Sequence, residues 1–106
     1  MFYLSNAFSL QMLDTAAAHE IRVAPVTAAE TAQALSGGFV SAVGHADTAR
    51  VVSGLLGLDV PANRANIRLT AADTLYVAQV TGGRLPEGAT ELPEGMALAF
   101  VRVTAD

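Results

Sequence analysis

The residue best suited to chemistry in this sequence is a histidine that lies between a strand-like run and a helix-like run. Phe39–Val43 has the composition of a buried strand, Gly44 and His45 follow it, and Ala49–Leu56 carries apolar residues at helical spacing. The first N–H groups of a helix lack internal partners and carry the positive end of its dipole, so a phosphate can bind beside the imidazole. Gly44 leaves space for its approach. The pattern predicts a phosphate site with a proton donor or acceptor, and it equally fits a histidine that only hydrogen-bonds a helix start.

The composition limits what such a site can hold. The chain has 106 residues, of which 52% are hydrophobic and 15% charged, so we expect one folded domain with a two-layer core. It has no cysteine and no cluster of histidines and carboxylates at metal-ligand spacing, so we expect neither a metal nor another cofactor. The net charge of −4 argues against general binding of DNA or RNA.

The basic residues suit a small anionic ligand. Arginine offers a planar fork for bidentate phosphate contacts. Lysine is absent, and the basic residues are Arg22, Arg50, Arg64, Arg68, Arg84 and Arg102. The second histidine, His19, has no partner motif nearby and is expected to lie on the surface. Met1–Leu4 has neither a basic start nor an apolar run of signal length, so we expect no export, no membrane span and a cytoplasmic location.

The rest of the sequence predicts the elements that position this stretch. Thr27 and Glu30 form a capping-box pattern before one helix, and Gly57 follows the second. Helices are predicted at Ala29–Leu35 and His45–Leu56, and further strands at Phe2–Leu4, Glu20–Val23, Asn66–Leu69, Leu75–Val80 and Met96–Val103. Pro25 favours an edge position for the Glu20–Val23 strand. The predicted fold class is α/β, a single domain over residues 1–106 with a mixed five-stranded sheet flanked by helices, which is one strand fewer than the six strand-like segments.

Further polar residues lie where strands are expected to end. Asn6 and Ser9 follow the first strand, where Asn6 can also simply hold a turn and Ser9 can cap a short helix. Gln79 lies near the end of the central strand, where a sheet presents polar groups to a crevice, and it also fits an exposed surface position. Arg84 and Glu87 are three residues apart in one loop, and their alternative role is a surface ion pair of little consequence.

Five short segments, taken in order, carry a resemblance to a known family. They are Leu4–Ser9, Val43–Thr48, Asn63–Arg64, Leu75–Gln79 and Arg84–Gly88, and together they extend over nearly the whole chain. In sequence and spacing they resemble the viral ring nucleases, type III anti-CRISPR proteins that degrade cyclic tetra-adenylate (cA4), and their bacterial CRISPR-associated relatives. The resemblance implies a homodimer that holds cA4 across its two-fold axis and cleaves it without metal.

The resemblance also implies roles for individual residues. By position, His45 corresponds to a general acid, Glu87 to a catalytic or orienting carboxylate, and Arg84 to a phosphate contact. The implied ligand pocket, with Gly44 added from the argument above, contains Asn6, Ser9, Gln11, Gly44, Arg64 and Gln79. Gln11 stands where some relatives have asparagine.

The chemistry that the resemblance implies needs few protein groups. In an RNA ring the ribose 2′-OH can attack the adjacent phosphorus once the two are held in line. The protein must protonate the departing 5′-oxygen and stabilise charge on the phosphate, which His45, Arg84 and a helix N-terminus can do. Cleavage at two symmetric sites yields linear di-adenylates with 2′,3′-cyclic phosphate ends. Two other classes remain: a module that binds the ring without cutting it, and a structural or DNA-binding protein, which requires a basic face that this acidic chain lacks.

Overall fold

Five strands and two α-helices form the protein in the computed structural model, which describes residues 1–106. The strands are β1 (Phe2–Ser5), β2 (Ile21–Pro25), β3 (Val40–Ala42), β4 (Thr74–Thr81) and β5 (Ala97–Ala105). The helices are α1 (Ala28–Leu35) and α2 (Ala46–Leu56), and a short 3-10 helix spans Leu10–Met12. None of the helices combines the length and apolarity that a membrane crossing demands.

The strands form one mixed sheet in the order β2-β5-β4-β1-β3, which confirms the predicted α/β class and the five-stranded sheet. β1 runs parallel to both β3 and β4, whereas β5 is antiparallel to β4 and β2. Ser5, the last residue of β1, is level with Ala42 of β3 and Val77 of β4. The segments that follow β1 and β3 therefore leave the sheet at the same edge.

The ends of both helices were predictable from local sequence. Thr27 Oγ1 accepts a hydrogen bond from the Glu30 N–H, and Glu30 Oε1 accepts one from the Thr27 N–H, each at 3.0 Å. These reciprocal bonds satisfy donors at the start of α1 that have no partner within the helix. His45 is the N-terminal flanking residue of α2, and the helix ends at Gly57.

The two faces of the sheet are covered differently. Both α-helices pack on one face, where Leu35 and Val52 belong to one buried cluster with Leu4 and Ala78 of the sheet. The opposite face is covered by the connection after α2 and by the segment around the 3-10 helix. Helices thus flank the sheet on one side only.

The predicted strand Asn66–Leu69 is wrong. Ile67 and Leu69 are buried against β4 and β5, while their neighbours are exposed. The segment joins no strand, and its main-chain bond to another element is from the Leu69 N–H to the Met12 carbonyl at 2.7 Å. Alternation of apolar and polar residues here reflects burial of one side of an extended segment on the sheet, without strand pairing.

Candidate functional site

The candidate site is built around the main chain of Gly44, at the edge of the sheet where β1 and β3 end. The Gly44 N–H donates to Asn6 Oδ1 at 3.4 Å, which joins the segments that follow the two strands. The Gly44 carbonyl accepts a hydrogen bond from Arg64 Nε at 3.3 Å. Three residues predicted from separate parts of the sequence are therefore in direct contact.

The absence of a side chain at Gly44 allows Arg64 to pack closely against it. A Cβ atom at Gly44 would lie 3.3 Å from Cγ of Arg64, which is closer than a relaxed contact between carbon atoms. The sequence predicted that the missing side chain makes room for a ligand. In the structure the aliphatic part of Arg64 uses that space and brings the guanidinium to the end of β3.

The connection that carries Arg64 is fixed against β3 by polar contacts. Ser41 Oγ donates to the Pro61 carbonyl at 2.6 Å. Asn63 donates from Nδ2 to the Ser41 carbonyl at 2.7 Å and from its N–H to the Val43 carbonyl at 2.8 Å. These bonds hold Arg64 on a rigid support, although the segment is neither helix nor strand.

His45 lies exposed at the start of α2, and its side chain makes no hydrogen bond with the helix. The alternative in which this imidazole serves only to cap the helix is therefore not supported. His45 borders a cavity of about 380 Å³ whose other lining residues are Gly44, Ala46, Asp47, Ala62, Asn63 and Arg64. An imidazole, a guanidinium and the positive end of a helix dipole thus surround one cavity.

The loop that carries Arg84 and Glu87 is bound to the first turns of α2. The Gly88 N–H donates to Asp47 Oδ2 at 3.2 Å. Arg50 Nη1 donates to the Ala89 carbonyl at 3.2 Å and forms an ion pair with Asp47 Oδ1 at 3.3 Å. These contacts bring the loop to the helix that begins after His45.

Arg84 and Glu87 do not form the alternative surface ion pair with each other. The ion pairs of the structure are between the N-terminal ammonium group and Asp73 and between Arg50 and Asp47. Both Arg84 and Glu87 are exposed. Neither residue lines the cavity that His45 borders, so the structure leaves both charged groups in solvent on the loop beside α2.

The remaining predicted ligand residues lie on the other side of the sheet edge. Ser9 and Gln11 border a second cavity of about 420 Å³, together with Met12, Ala65, Asn66, Ile67 and Arg68. Ser9 precedes the 3-10 helix, but its side chain makes no capping bond. Gln79 is exposed and alternates with Val77, so it lies on the face that the helices leave free. Residues 62–64 border the cavity of His45, and residues 65–68, which follow directly, border the second cavity.

A wider and more open cavity elsewhere on the protein contains none of the predicted site residues. It measures about 860 Å³ and runs along β2, where its lining includes Glu20 and Asp106. The lining also contains Arg22, but the two carboxylates outnumber its guanidinium and disfavour a phosphate ligand. No group of three or more His, Asp or Glu side chains in the structure is arranged to hold a metal ion.

His19 lies just before β2, the strand at the opposite edge of the sheet from β3 and the candidate site. Its Nε2 is 2.6 Å from the Asp14 main-chain oxygen, and its Nδ1 is 3.3 Å from that of Asp106. The contact with Asp14, followed by the contact with Asp106, raises the pKa of His19. This histidine joins two chain segments at the surface and takes no part in the candidate site.

Sequence reasoning missed Asp47 and Arg50, which bind the Glu87 loop. Their spacing of three residues on a helix is a signal for an ion pair. The loop contributes only main-chain groups to these contacts. Because nearly every residue has the same main-chain N–H and carbonyl, the sequence does not indicate which of them will bind Asp47 or Arg50.

The fold and the site together define a small α/β domain with a polar cavity at the edge where its parallel strands β1 and β3 end. The chain belongs to the STIV B116-like family, whose model matches residues 2–99. It is 36% identical over 89 residues to the uncharacterised protein ORF117 of Acidianus two-tailed virus, an alignment that includes 83% of this chain and 75% of ORF117.

A solved structure shows the same fold. The protein is similar to B116 of Sulfolobus turreted icosahedral virus, with a TM-score of 0.79, 23% identity and coverage of 97% of both chains. This similarity establishes the architecture over nearly the whole length. Both relatives are viral proteins, and the function of the present chain is argued from its own site.

Proposed function

We propose that the protein is a metal-independent ring nuclease, a phosphodiesterase that cleaves cA4 to linear di-adenylates with 2′,3′-cyclic phosphate ends and so switches off type III CRISPR signalling. The observation that carries this proposal is the position of His45. Its side chain makes no hydrogen bond to the helix that it precedes, and it borders the same cavity as Arg64 and the first turn of α2. This combination provides a proton donor and positive charge at one place.

The groups around the cavity match the needs of an internal transesterification. As the ribose 2′-OH attacks the neighbouring phosphorus, its proton passes to solvent water. The bond from phosphorus to the 5′-oxygen breaks, and His45 donates the proton that the departing oxygen takes up. Such proton donation accelerates reactions by about 10²- to 10⁴-fold. The N–H groups at the start of α2 stabilise the charge that develops on the phosphate oxygens.

Arg64 retains donors for a phosphate after its structural contact is made. Its Nε is bonded to the Gly44 carbonyl, which fixes the plane of the guanidinium. The two terminal nitrogens carry the remaining donors and can bind two oxygens of one phosphate. Arg84, on the loop bound to α2, supplies a second positive charge at the same end of the molecule.

The size of the cavity supports a homodimer as the active form. Cavities of about 300–1,000 Å³ typically bury ligands of drug size. The two cavities at this edge measure about 380 and 420 Å³, which is too little for a ring of four nucleotides. In the proposed dimer the ring lies across the two-fold axis, and each protomer presents its His45 to one of two opposite phosphodiesters.

The test is incubation of the purified protein with cA4 in EDTA, followed by separation of the products. We expect linear di-adenylate with a cyclic phosphate end. His45→Ala is expected to bind cA4 and lose most of the cleavage rate, whereas the matched variant His19→Ala retains it. Loss of turnover in EDTA, or normal cleavage by His45→Ala, contradicts the proposed mechanism.

Two further results distinguish the other classes of protein. Tight binding with an intact ring, after long incubation with stoichiometric protein, identifies a sequestering module. A shift of duplex DNA at moderate salt identifies a DNA-binding protein, which the net charge of −4 disfavours.

A further inference from the structure

Asp47 links the helix that follows His45 to the loop that carries Glu87. It is the second residue of α2, and its side chain is only 18% exposed. One carboxylate oxygen accepts the Gly88 N–H at 3.2 Å, and the other pairs with Arg50 at 3.3 Å. An acidic residue in the first turn usually stabilises its own helix through the dipole. Here both oxygens also have partners beyond the helix start.

Asp47 and Arg50 together hold one defined turn of the loop. The Ala89 N–H donates to the Pro86 carbonyl at 3.1 Å, which closes a four-residue turn. Glu87 and Gly88 are its central residues, and φ of Gly88 is +81°, as a type II turn requires at this position. Asp47 binds the N–H of one turn residue while Arg50 binds the carbonyl of the next. The turn is therefore held through main-chain groups of two consecutive residues, Gly88 and Ala89.

The contact fixes how the two proposed catalytic groups are placed relative to each other. His45 is two residues before Asp47, on the chain that enters α2. Glu87 is the residue directly before Gly88. A single hydrogen bond between Asp47 and Gly88 thus connects the main-chain supports of both side chains, and the Arg50 contact to Ala89 limits rotation about it.

We propose that Asp47 is a positioning residue of the ring nuclease, which acts through Glu87 by holding the Pro86–Ala89 turn against the start of α2. The inference rests on the proposed function. Asp47 borders the cavity of His45, but its two carboxylate oxygens bind the Gly88 N–H and Arg50, so we assign it no contact with the reacting atoms. Its contribution is the alignment of Glu87 with His45, and displacement of a catalytic group by about 1 Å can cost on the order of 10²-fold in rate.

The experiment is a double-mutant cycle on single-turnover cleavage of cA4, measured in EDTA with protein in excess over ring. We expect Asp47→Ala to lower the rate by about 10- to 100-fold, with the affinity for cA4 nearly unchanged. Glu87→Ala removes the group that Asp47 positions, so adding Asp47→Ala to it should lower the rate by less than about twofold. Asp47→Asn keeps an oxygen for the Gly88 N–H and should restore most of the rate.

A matched control distinguishes positioning from loss of the fold. Asp59 is exposed, and its side chain takes part in no ion pair, so Asp59→Ala should retain the wild-type rate and unfolding midpoint. A wild-type rate in Asp47→Ala, or equal losses in the presence and absence of Glu87, overturns the inference while the proposed function stands. Failure of the wild-type protein to cleave cA4 overturns the proposed function, and the inference with it.

Discussion

Substitution of Gly44 by alanine should weaken the binding of cA4 while it leaves the free energy of unfolding nearly unchanged. The new Cβ would lie 3.3 Å from Arg64 Cγ, so the Arg64 side chain must move away by a few tenths of an ångström. Its hydrogen bond to the Gly44 carbonyl is already 3.3 Å long and would be lost. The guanidinium is then no longer fixed at the edge of the cavity that His45 borders.

The expected magnitudes follow from opposing contributions. Loss of an exposed hydrogen bond costs about 1 kcal/mol of folding stability. Gly44 has no positive φ, and replacing glycine by alanine at such a position stabilises the fold by about 0.4–1 kcal/mol through the unfolded chain. The free energy of unfolding should therefore change by less than about 1 kcal/mol. A charged hydrogen bond to phosphate contributes about 1.5–3 kcal/mol, so the affinity for cA4 should fall by about 10- to 150-fold.

The assay combines urea denaturation with titration of cA4 into Gly44→Ala, Arg64→Ala and the double variant. If both changes act on the same guanidinium, the double variant should bind no more weakly than Arg64→Ala alone. Unchanged affinity in Gly44→Ala, or additive losses in the double variant, would refute the role assigned to the contact between Gly44 and Arg64.

Three further predictions concern stability. Leu4 of β1 is fully buried on the sheet face that the helices cover, so Leu4→Ala should cost about 2–5 kcal/mol in urea denaturation. Leu55→Ala, with Leu55 at 49% exposure, should change stability by less than about 0.5 kcal/mol. The contacts of His19 with the Asp14 and Asp106 main-chain oxygens raise the pKa of His19 above the ordinary 6.5. The stability that these contacts contribute to the fold is therefore fully present below pH 6.5 and is lost as the pH rises through the raised pKa. His19→Asn should remove this pH dependence of the unfolding midpoint. Partial burial opposes ionisation of Asp73, but hydrogen bonds from the Thr70 N–H and hydroxyl outweigh it and lower the pKa of Asp73. The stability that these hydrogen bonds contribute is therefore present above pH 3.8 and is lost as the pH falls through the lowered pKa. Asp73→Asn should abolish this loss in acid titrations.

Local sequence signals predicted the elements whose ends depend on neighbouring residues. The start of α1 follows from the reciprocal bonds of Thr27 and Glu30, and the end of α2 from Gly57. Leu75–Val80 was predicted to be the central strand, and β4 is the third of five strands in the sheet. Capping interactions involve residues only a few positions apart, so their sequence signals predict helix ends independently of the tertiary fold.

Signals that depend on the tertiary fold were less informative. Ile67 and Leu69 alternate with exposed residues because they rest on the sheet, and alternation alone does not distinguish this from strand pairing. Helical periodicity shows that α1 and α2 each have an apolar face, but it does not show that both cover the same side of the sheet.

The candidate site shows the same division. Asn6 and Gly44 were each named as pocket residues on separate grounds, and the structure brings them into contact at the edge where the parallel strands β1 and β3 end. The support that Asp47 gives to the Glu87 turn was missed, because its partner is a main-chain N–H at a separation of 41 residues. Side-chain patterns cannot indicate such a partner.

The most direct test of the account is whether His45 donates the proton to the departing 5′-oxygen. Single-turnover rates in EDTA should be compared for two rings, cA4 and cA4 with sulfur in place of the bridging 5′-oxygens, because a departing sulfur needs no proton. We predict that His45→Ala cleaves cA4 about 10²- to 10⁴-fold more slowly than the wild-type protein, yet cleaves the sulfur-bridged ring at nearly the wild-type rate. An equally large defect of His45→Ala on both rings would contradict the proposed role of His45.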